Sequence, residues 1–262
     1  MSYIPVFHRE LIRAFALLLL CAATASASPQ SDQQTLMRAR QAYYNLKQAG
    51  LIEYRANVKP NWRVISGSEA GSESLKVLEQ IRFSMWIDPH SKLWLDHDTD
   101  LLPTTDKSSE YYGRICKGMD EALSKFIAAW SVFSLTSPFP QVGSDYELRQ
   151  AANRYGFSHR EGDTTVLTTA DENFKVIEIK VAGAGFKASL RPELENTPQG
   201  FILTGYDASY QTNERVTRVQ ARLEYQPING LQLPRKVYVD TIYEGKPAQV
   251  EWLFTDYQVK VR

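Results

Sequence analysis

Arg218-Val219-Gln220-Ala221-Arg222-Leu223-Glu224-Tyr225, followed by Asn229-Gly230 and then by Leu231 through Ile242, is the stretch that decides the fold. Val219, Ala221, Leu223 and Tyr225 alternate with Arg218, Gln220, Arg222 and Glu224, which is the period of a strand with one buried face. Asn229-Gly230 suits a two-residue hairpin turn, because both residues tolerate positive φ. Glu244-Gly245-Lys246 predicts a second turn, leading into a strand over Gln249 to Val261. In that strand Val250, Trp252 and Phe254 occupy even positions, whereas Tyr257, Val259 and Val261 occupy odd ones. The change of phase predicts a β-bulge near Thr255-Asp256.

The same habit extends upstream. Everything after Tyr146 reads as strands and turns, with Ile177, Ile179 and Val181 alternating with Glu178 and Lys180. A separate hairpin is predicted over Ile81 to Asp96, where Ile81, Phe83, Met85 and Ile87 share one face. If Pro89 to Ser91 form its loop, Asp88 faces Lys92, Ile87 faces Leu93 and Trp86 faces Trp94. Both tryptophans then lie opposite the aliphatic row, so each side of the hairpin carries apolar groups that need cover or a ligand.

Two segments carry the helical period instead. Leu36, Met37, Ala39, Ala42, Tyr43 and Leu46 predict a helix over Ser31 to Gln48, stopped by Gly50. Ile115, Met119, Leu123, Phe126, Ile127, Trp130 and Phe133 predict a long helix from Glu110 that Pro138 and Pro140 close. Leu51 to Ile65 reads as a strand with a bend at Pro60, and Ser66 to Ser74 as a loop. Leu75 to Gln80 reads as a short helical turn and Leu101 to Ser109 as another loop. About nine strands and two or three helices make an antiparallel α+β fold. So few helices cover both faces of so many strands only if the sheet curves strongly around them, as a half-barrel.

The first 27 residues read as an export signal rather than as part of the fold. Arg9 and Arg13 precede the apolar run Ala14 to Ala23, and Ala25-Ser26-Ala27 supplies a small-x-small cleavage site. The run falls well short of the roughly 20 residues that a helix needs to cross a bilayer. Leu20 before Cys21 disfavours lipidation at that cysteine, because a small residue normally stands there. The expected protein is periplasmic or secreted, with residues 28–262 as a single domain. Cys116 is then the one remaining cysteine, so the core has no internal disulfide to lean on, and burial is its simplest role.

Of 262 residues, 43% are hydrophobic and 23% charged, with 30 basic against 30 acidic side chains. The balance excludes a strongly basic nucleic-acid binder and a disordered chain. No catalytic signature emerges. Gly183-Ala184-Gly185-Phe186-Lys187-Ala188 matches a relaxed dinucleotide pattern, but Phe186 to Leu190 and Pro192 deny the helix that would face a pyrophosphate. The glycines are expected to make a turn or bulge. Asp96-His97-Asp98-Thr99-Asp100 has Leu101 and Lys107 where a calcium loop needs glycine and glutamate, and a zinc site would need ligands from elsewhere. A metal-dependent hydrolase on Asp96, His97 and Asp98 is the third-ranked reading. There is no GxSxG elbow, and no cofactor is expected.

Aromatic content is the informative feature: Trp86, Trp94, Trp130, Tyr206 and Trp252 either fill the space between sheet and helix or line a cavity for an apolar ligand.

The order of elements resembles the LolA-like and RseB-like periplasmic lipoprotein-carrier superfamily. The most family-like stretch is Gly230-Leu231-Gln232-Leu233-Pro234 with its following strand, the Glu244-Gly245-Lys246 turn, and Phe254-Thr255-Asp256-Tyr257-Gln258-Val259. The resemblance implies a non-enzymatic envelope protein whose concave sheet binds lipid or lipoprotein acyl chains. The alternative is an envelope interaction or sensing module with a filled core and no ligand cavity.

Overall fold

The computed structural model describes residues 29–66, 71–88, 92–98, 106–212, 215–243 and 246–262. The export signal expected over residues 1–27, the turn at Pro89 to Ser91 and the segment 101–105 lie outside the described residues. The chain divides into two compact units, residues 1–35 and 36–262. Of the first, only the opening turns of a helix are described, where the Thr35 hydroxyl donates to the Ser31 carbonyl at 2.9 Å.

Among the described residues the elements run α1 (Pro29–Gln41), β1 (Leu51–Pro60), α2 (Trp62–Ser66), α3 (Ser72–Leu78), β2 (Arg82–Ile87), β3 (Leu93–Asp98) and α4 (Asp106–Ser134). Nine strands follow: β4 (Tyr146–Ala151), β5 (Arg154–Glu161), β6 (Thr164–Asp171), β7 (Val176–Gly183), β8 (Phe186–Thr197), β9 (Gly200–Thr212), β10 (Val216–Ile228), β11 (Leu231–Tyr243) and β12 (Lys246–Val261). All twelve join one antiparallel sheet in the order β3-β2-β1-β12-β11-β10-β9-β8-β7-β6-β5-β4.

That order explains the length of α4. The chain reaches one edge at β3, must restart at the opposite edge with β4, and then meanders back until β12 pairs with β1. Twelve strands are about 53 Å across. A helix of 29 residues covers about 43 Å of that distance, and the segment 135–145 covers the rest. The buried stripe of α4, with Met119, Leu123, Phe126, Trp130 and Phe133, lies on the sheet face as expected. Midway along it Asp120 lies beside His97 of β3, and in its last turns the Trp130 indole N–H donates to the Tyr225 hydroxyl at 3.2 Å.

The antiparallel α+β class holds, but the strongly curved half-barrel does not: the sheet is not strongly curled, and β3 and β4 remain open edges. A helix of 29 residues packed on the face between β3 and β9 opposes a tight curl. Strands number twelve rather than nine; β4 is mostly exposed and polar, and β5 is only partly buried, with little apolar alternation in either.

Several local expectations are met. Trp86 pairs with Trp94 and Ile87 with Leu93. Asn229 and Gly230 have φ of 50° and 80°, as the hairpin turn requires. The register of β1 on β12 slips between Arg55 and Asn57, beside Asp256 at φ 53°, which is the bulge. Gly183 and Phe186 close the β7–β8 turn. Three expectations need correcting. Residues 106–109, expected in a loop, form the first turn of α4, which starts at Asp106. Helix α1 ends at Gln41 because the backbone of residues 42–44 bonds β9: the Phe201 N–H donates to the Ala42 carbonyl at 2.8 Å, and the Tyr44 N–H donates to the Phe201 carbonyl at 3.0 Å. In β7, a register slip opposite Thr169 and Ala170 buries Val176 and turns Ile177 to solvent.

Candidate functional site

Antiparallel register aligns side chains in rows across the strands. One row runs through His159, Val166, Val181, Ala188 and Tyr210, each the direct partner of the next on β5 to β9. The adjacent row on the same face runs through Phe157, Thr168, Ile179, Leu190 and Ala208. The segment after α4 descends on the β5–β6 end of this second row. There the Thr168 hydroxyl donates to the Pro138 carbonyl at 2.6 Å, and the Phe139 ring meets Phe157 edge-on at 5.0 Å. The first row receives no such cover. Between it and the α4 residues Ala128, Ala129, Val132 and Phe133 lies a cavity of about 1100 Å³.

The cover stays up because it is anchored. The Tyr43 hydroxyl donates to the Phe174 carbonyl at 3.0 Å and accepts from the Val176 N–H at 2.7 Å. Its ring touches those of Phe133, Phe139 and Phe201. Burial raises the Tyr43 pKa, the Val176 hydrogen bond partly opposing it, so the hydroxyl stays neutral. The Leu46 N–H donates to the Ser134 carbonyl at 2.8 Å, and the Arg40 guanidinium donates to the carbonyls of Phe139 and Pro140 at 3.1 and 2.6 Å. Gly200 lets this segment sit close to β9: a Cβ there would lie 2.7 Å from the Ala42 carbonyl oxygen.

Polar and charged residues line the cavity as well. Arg40, Lys47, Lys125 and Arg160 line it together with His159 and Glu161. Burial pulls the Arg40 pKa below its ordinary value, although a guanidinium keeps its charge at neutral pH. His159 Nε2 lies 3.1 Å from Glu161 Oε1, and its Nδ1 is buried with no hydrogen-bond partner among the described residues.

No model of a known protein family, no curated protein and no solved structure matches this chain. The site must therefore be read from its own geometry. Apolar residues on the floor and roof, with polar and charged residues making up about half of the lining, are compatible with a ligand pocket, and the volume lies just above the usual range of about 300–1,000 Å³. Among the described residues no group of three or more His, Cys, Asp or Glu is arranged to hold a metal ion.

The aromatic residues expected to line a site lie elsewhere. Trp130, Tyr206 and Trp252 are packed in the core, and Trp252 directs its indole N–H at the Met119 sulfur, 2.9 Å away. Trp86 and Trp94 stack at 6.1 Å on the other sheet face, 39% and 44% exposed, with the Lys92 ammonium 3.8 Å from the Trp94 ring. None of the five lines the 1100 Å³ cavity. Cys116 is buried, and burial raises its pKa further, so it is no ready thiolate. The pleat splits the acidic cluster: Asp96 and Asp98 share the exposed face with Trp94, while His97 turns inward, its Nδ1 3.0 Å from Asp120 Oδ2. Thr99 and Asp100 lie outside the described residues.

The residues that do line the cavity were missed for a physical reason. Val166, Ala188 and Tyr210 come from three strands, and only the register puts them in one row. The usable signal was the small size of Ala188 and of Ala128 and Ala129, which leaves room where larger side chains would close it.

Proposed function

We propose that this protein is an exported, non-enzymatic envelope protein that holds an acyl chain of a lipid or lipoprotein between α4 and strands β5 to β9. The observation carrying this reading is the cavity of about 1100 Å³, walled by Val132, Phe133, Val166, Val181, Ala188 and Leu190. Its work is the removal of apolar surface from water, at about 0.8 kcal/mol per buried methylene. Catalysis has no part in it. Release requires the anchored cover of residues 42–46 and 135–140 to shift. Membership of the LolA-like carriers belongs to the same reading. It is supported by the leader pattern, the antiparallel sheet and the helix across its face.

The test is the native mass of the full chain purified without detergent, before and after organic extraction. A satellite heavier by one acyl lipid, lost on extraction, is expected. A single apo mass, with no uptake of added oleate, overturns the proposal.

A second reading, an envelope interaction module, is favoured by the exposed Trp86 and Trp94 stack beside the open edge of β3. It predicts that the full chain takes up no oleate and that Trp86→Ser with Trp94→Ser abolishes capture of an envelope protein.

A further inference from the structure

We propose that a second copy of this chain docks on the open edge of β4, pairing β4 antiparallel with its own counterpart across a twofold axis. The sheet ends at β4, which is bonded to β5 alone. A bare edge is a ready template for another strand, and folded chains usually blunt it with proline, lysine, a bulge or an inward charge. Strand β4 has none of these. Tyr146-Glu147-Leu148-Arg149-Gln150-Ala151 contains no proline or lysine, its two charged residues are exposed, and its register with β5 runs without a slip.

The direction of the backbone groups follows from the β4–β5 hairpin. Ala151 and Arg154 flank a two-residue turn, with Ala152 at φ 50°, so they form its hydrogen-bonded closing pair. Bonded and non-bonded pairs alternate from there. Arg149 and Glu147 therefore bond β5, opposite Gly156 and Ser158, while the N–H and C=O of Leu148 and Gln150 point away from it. A second β4 centred on Leu148 exchanges hydrogen bonds with those groups.

Charge selects that register. Pairing centred on Leu148 puts Glu147 opposite Arg149 of the second copy, and Arg149 opposite its Glu147. Moving the centre to Glu147 sets two carboxylates face to face, and moving it to Arg149 sets two guanidinium groups face to face, both unfavourable. Within one copy Arg149 Nε lies 2.9 Å from Glu147 Oε1, so twofold pairing closes a ring of four alternating charges. On the opposite face Leu148 ends the row of Phe157, Thr168, Ile179 and Leu190 and is only half-buried. Leu148 of the second copy covers its open side. The other edge is less suited to self-pairing, because β3 carries Asp96 and Asp98 with no lysine or arginine.

About five residues a side fall short of the roughly 20–30 of a stable interface. A reversible dimer whose population rises with concentration is therefore expected. Sedimentation velocity of the full chain across the micromolar range reads it directly, and association should weaken at high salt. Glu147→Arg and Arg149→Glu each bring like charges together twice in the symmetric dimer and should weaken association roughly tenfold or more. Both positions are exposed, so melting temperatures should not change. Combining Glu147→Arg with Arg149→Glu restores opposite pairs and should restore the dimer. A monomer at every concentration overturns the proposal. So does a dimer that both reversals leave untouched, or a double exchange that fails to restore association. Assemblies growing beyond two copies also overturn it, because that is what head-to-tail pairing of β3 on β4 builds. None of these outcomes depends on what the cavity holds.

Discussion

The Tyr43 hydroxyl accepts the Val176 N–H at 2.7 Å, joining the segment after α1 to the start of β7 across 133 residues of chain. The same oxygen donates to the Phe174 carbonyl. Tyr43→Phe keeps the ring contacts with Phe133, Phe139 and Phe201 but leaves two buried backbone groups without a partner. It should cost about 1–3 kcal/mol, measured as a lower urea midpoint at unchanged m-value. A change within error would show that the anchor contributes nothing.

Gly200 has φ +114°, and a Cβ there would meet the Ala42 oxygen at 2.7 Å and the Tyr43 carbonyl carbon at 2.9 Å. Gly200→Ala should lose about 1–3 kcal/mol from backbone strain alone, with a further loss as residues 42–44 leave β9. Gly118 sits on α4 with nothing within 4 Å of its Cβ position. Gly118→Ala should therefore gain about 0.5–1 kcal/mol. Thermal melts of the two variants should move in opposite directions.

Trp130 and Trp252 are fully buried, whereas Trp86 and Trp94 are exposed. Trp130→Ala and Trp252→Ala should each cost about 3–5 kcal/mol. Trp86→Ser should cost about 0.2–1 kcal/mol, the worth of a cross-strand aromatic pair. Equal losses at the four positions, read from denaturant midpoints, would contradict the assignment of core and surface.

Burial pushes the Asp120 carboxyl above its ordinary value of 3.8, with His97 pulling it partly back and Asp96 adding to the rise. In the folded state Asp120 therefore keeps its proton to a higher pH than in the unfolded chain. Its contribution is fully present below about pH 3.8 and is lost as pH rises through the folded pKa. Urea midpoints of the wild type and Asp120→Asn between acid and neutral pH should show the wild type losing ground to the variant as pH rises. The opposite slope would mean that the His97 contact outweighs burial.

Ala188 is half-buried in the middle of the cavity floor, between Val181 and Tyr210. Ala188→Phe suits a strand and fills the chamber rather than the packed core. Oleate uptake should fall at least tenfold while the melting temperature changes by less than about 2–4 °C, the shift expected for 1 kcal/mol at this size. Undiminished uptake would place the ligand elsewhere.

Much of the fold was legible because it is local. The Trp86–Trp94 register, the Asn229-Gly230 turn and the bulge at Asp256 each follow from a few consecutive residues. The stripe from Met119 to Phe133 fixed the long helix in the same way. What escaped depends on distant partners. Helix α1 stops at Gln41 because Phe201 takes the next backbone groups, and β4 and β5 are held by pairing rather than by apolar alternation. The lining of the cavity escaped for a related reason. Large aromatics such as Trp130, Tyr206 and Trp252 gain most from complete burial, so they filled the core, and the space was left beside small residues such as Ala188 and Ala129.

The central claim is that an acyl chain lies between α4 and the row Val166, Val181, Ala188, Tyr210. A crystal of the full chain grown with a terminally brominated fatty acid tests it most directly, because anomalous scattering locates the bromine without reference to the protein phases. A peak between Val132 and Ala188 is predicted. A peak only at the Trp86–Trp94 face, or none at a concentration that saturates binding, would contradict the account.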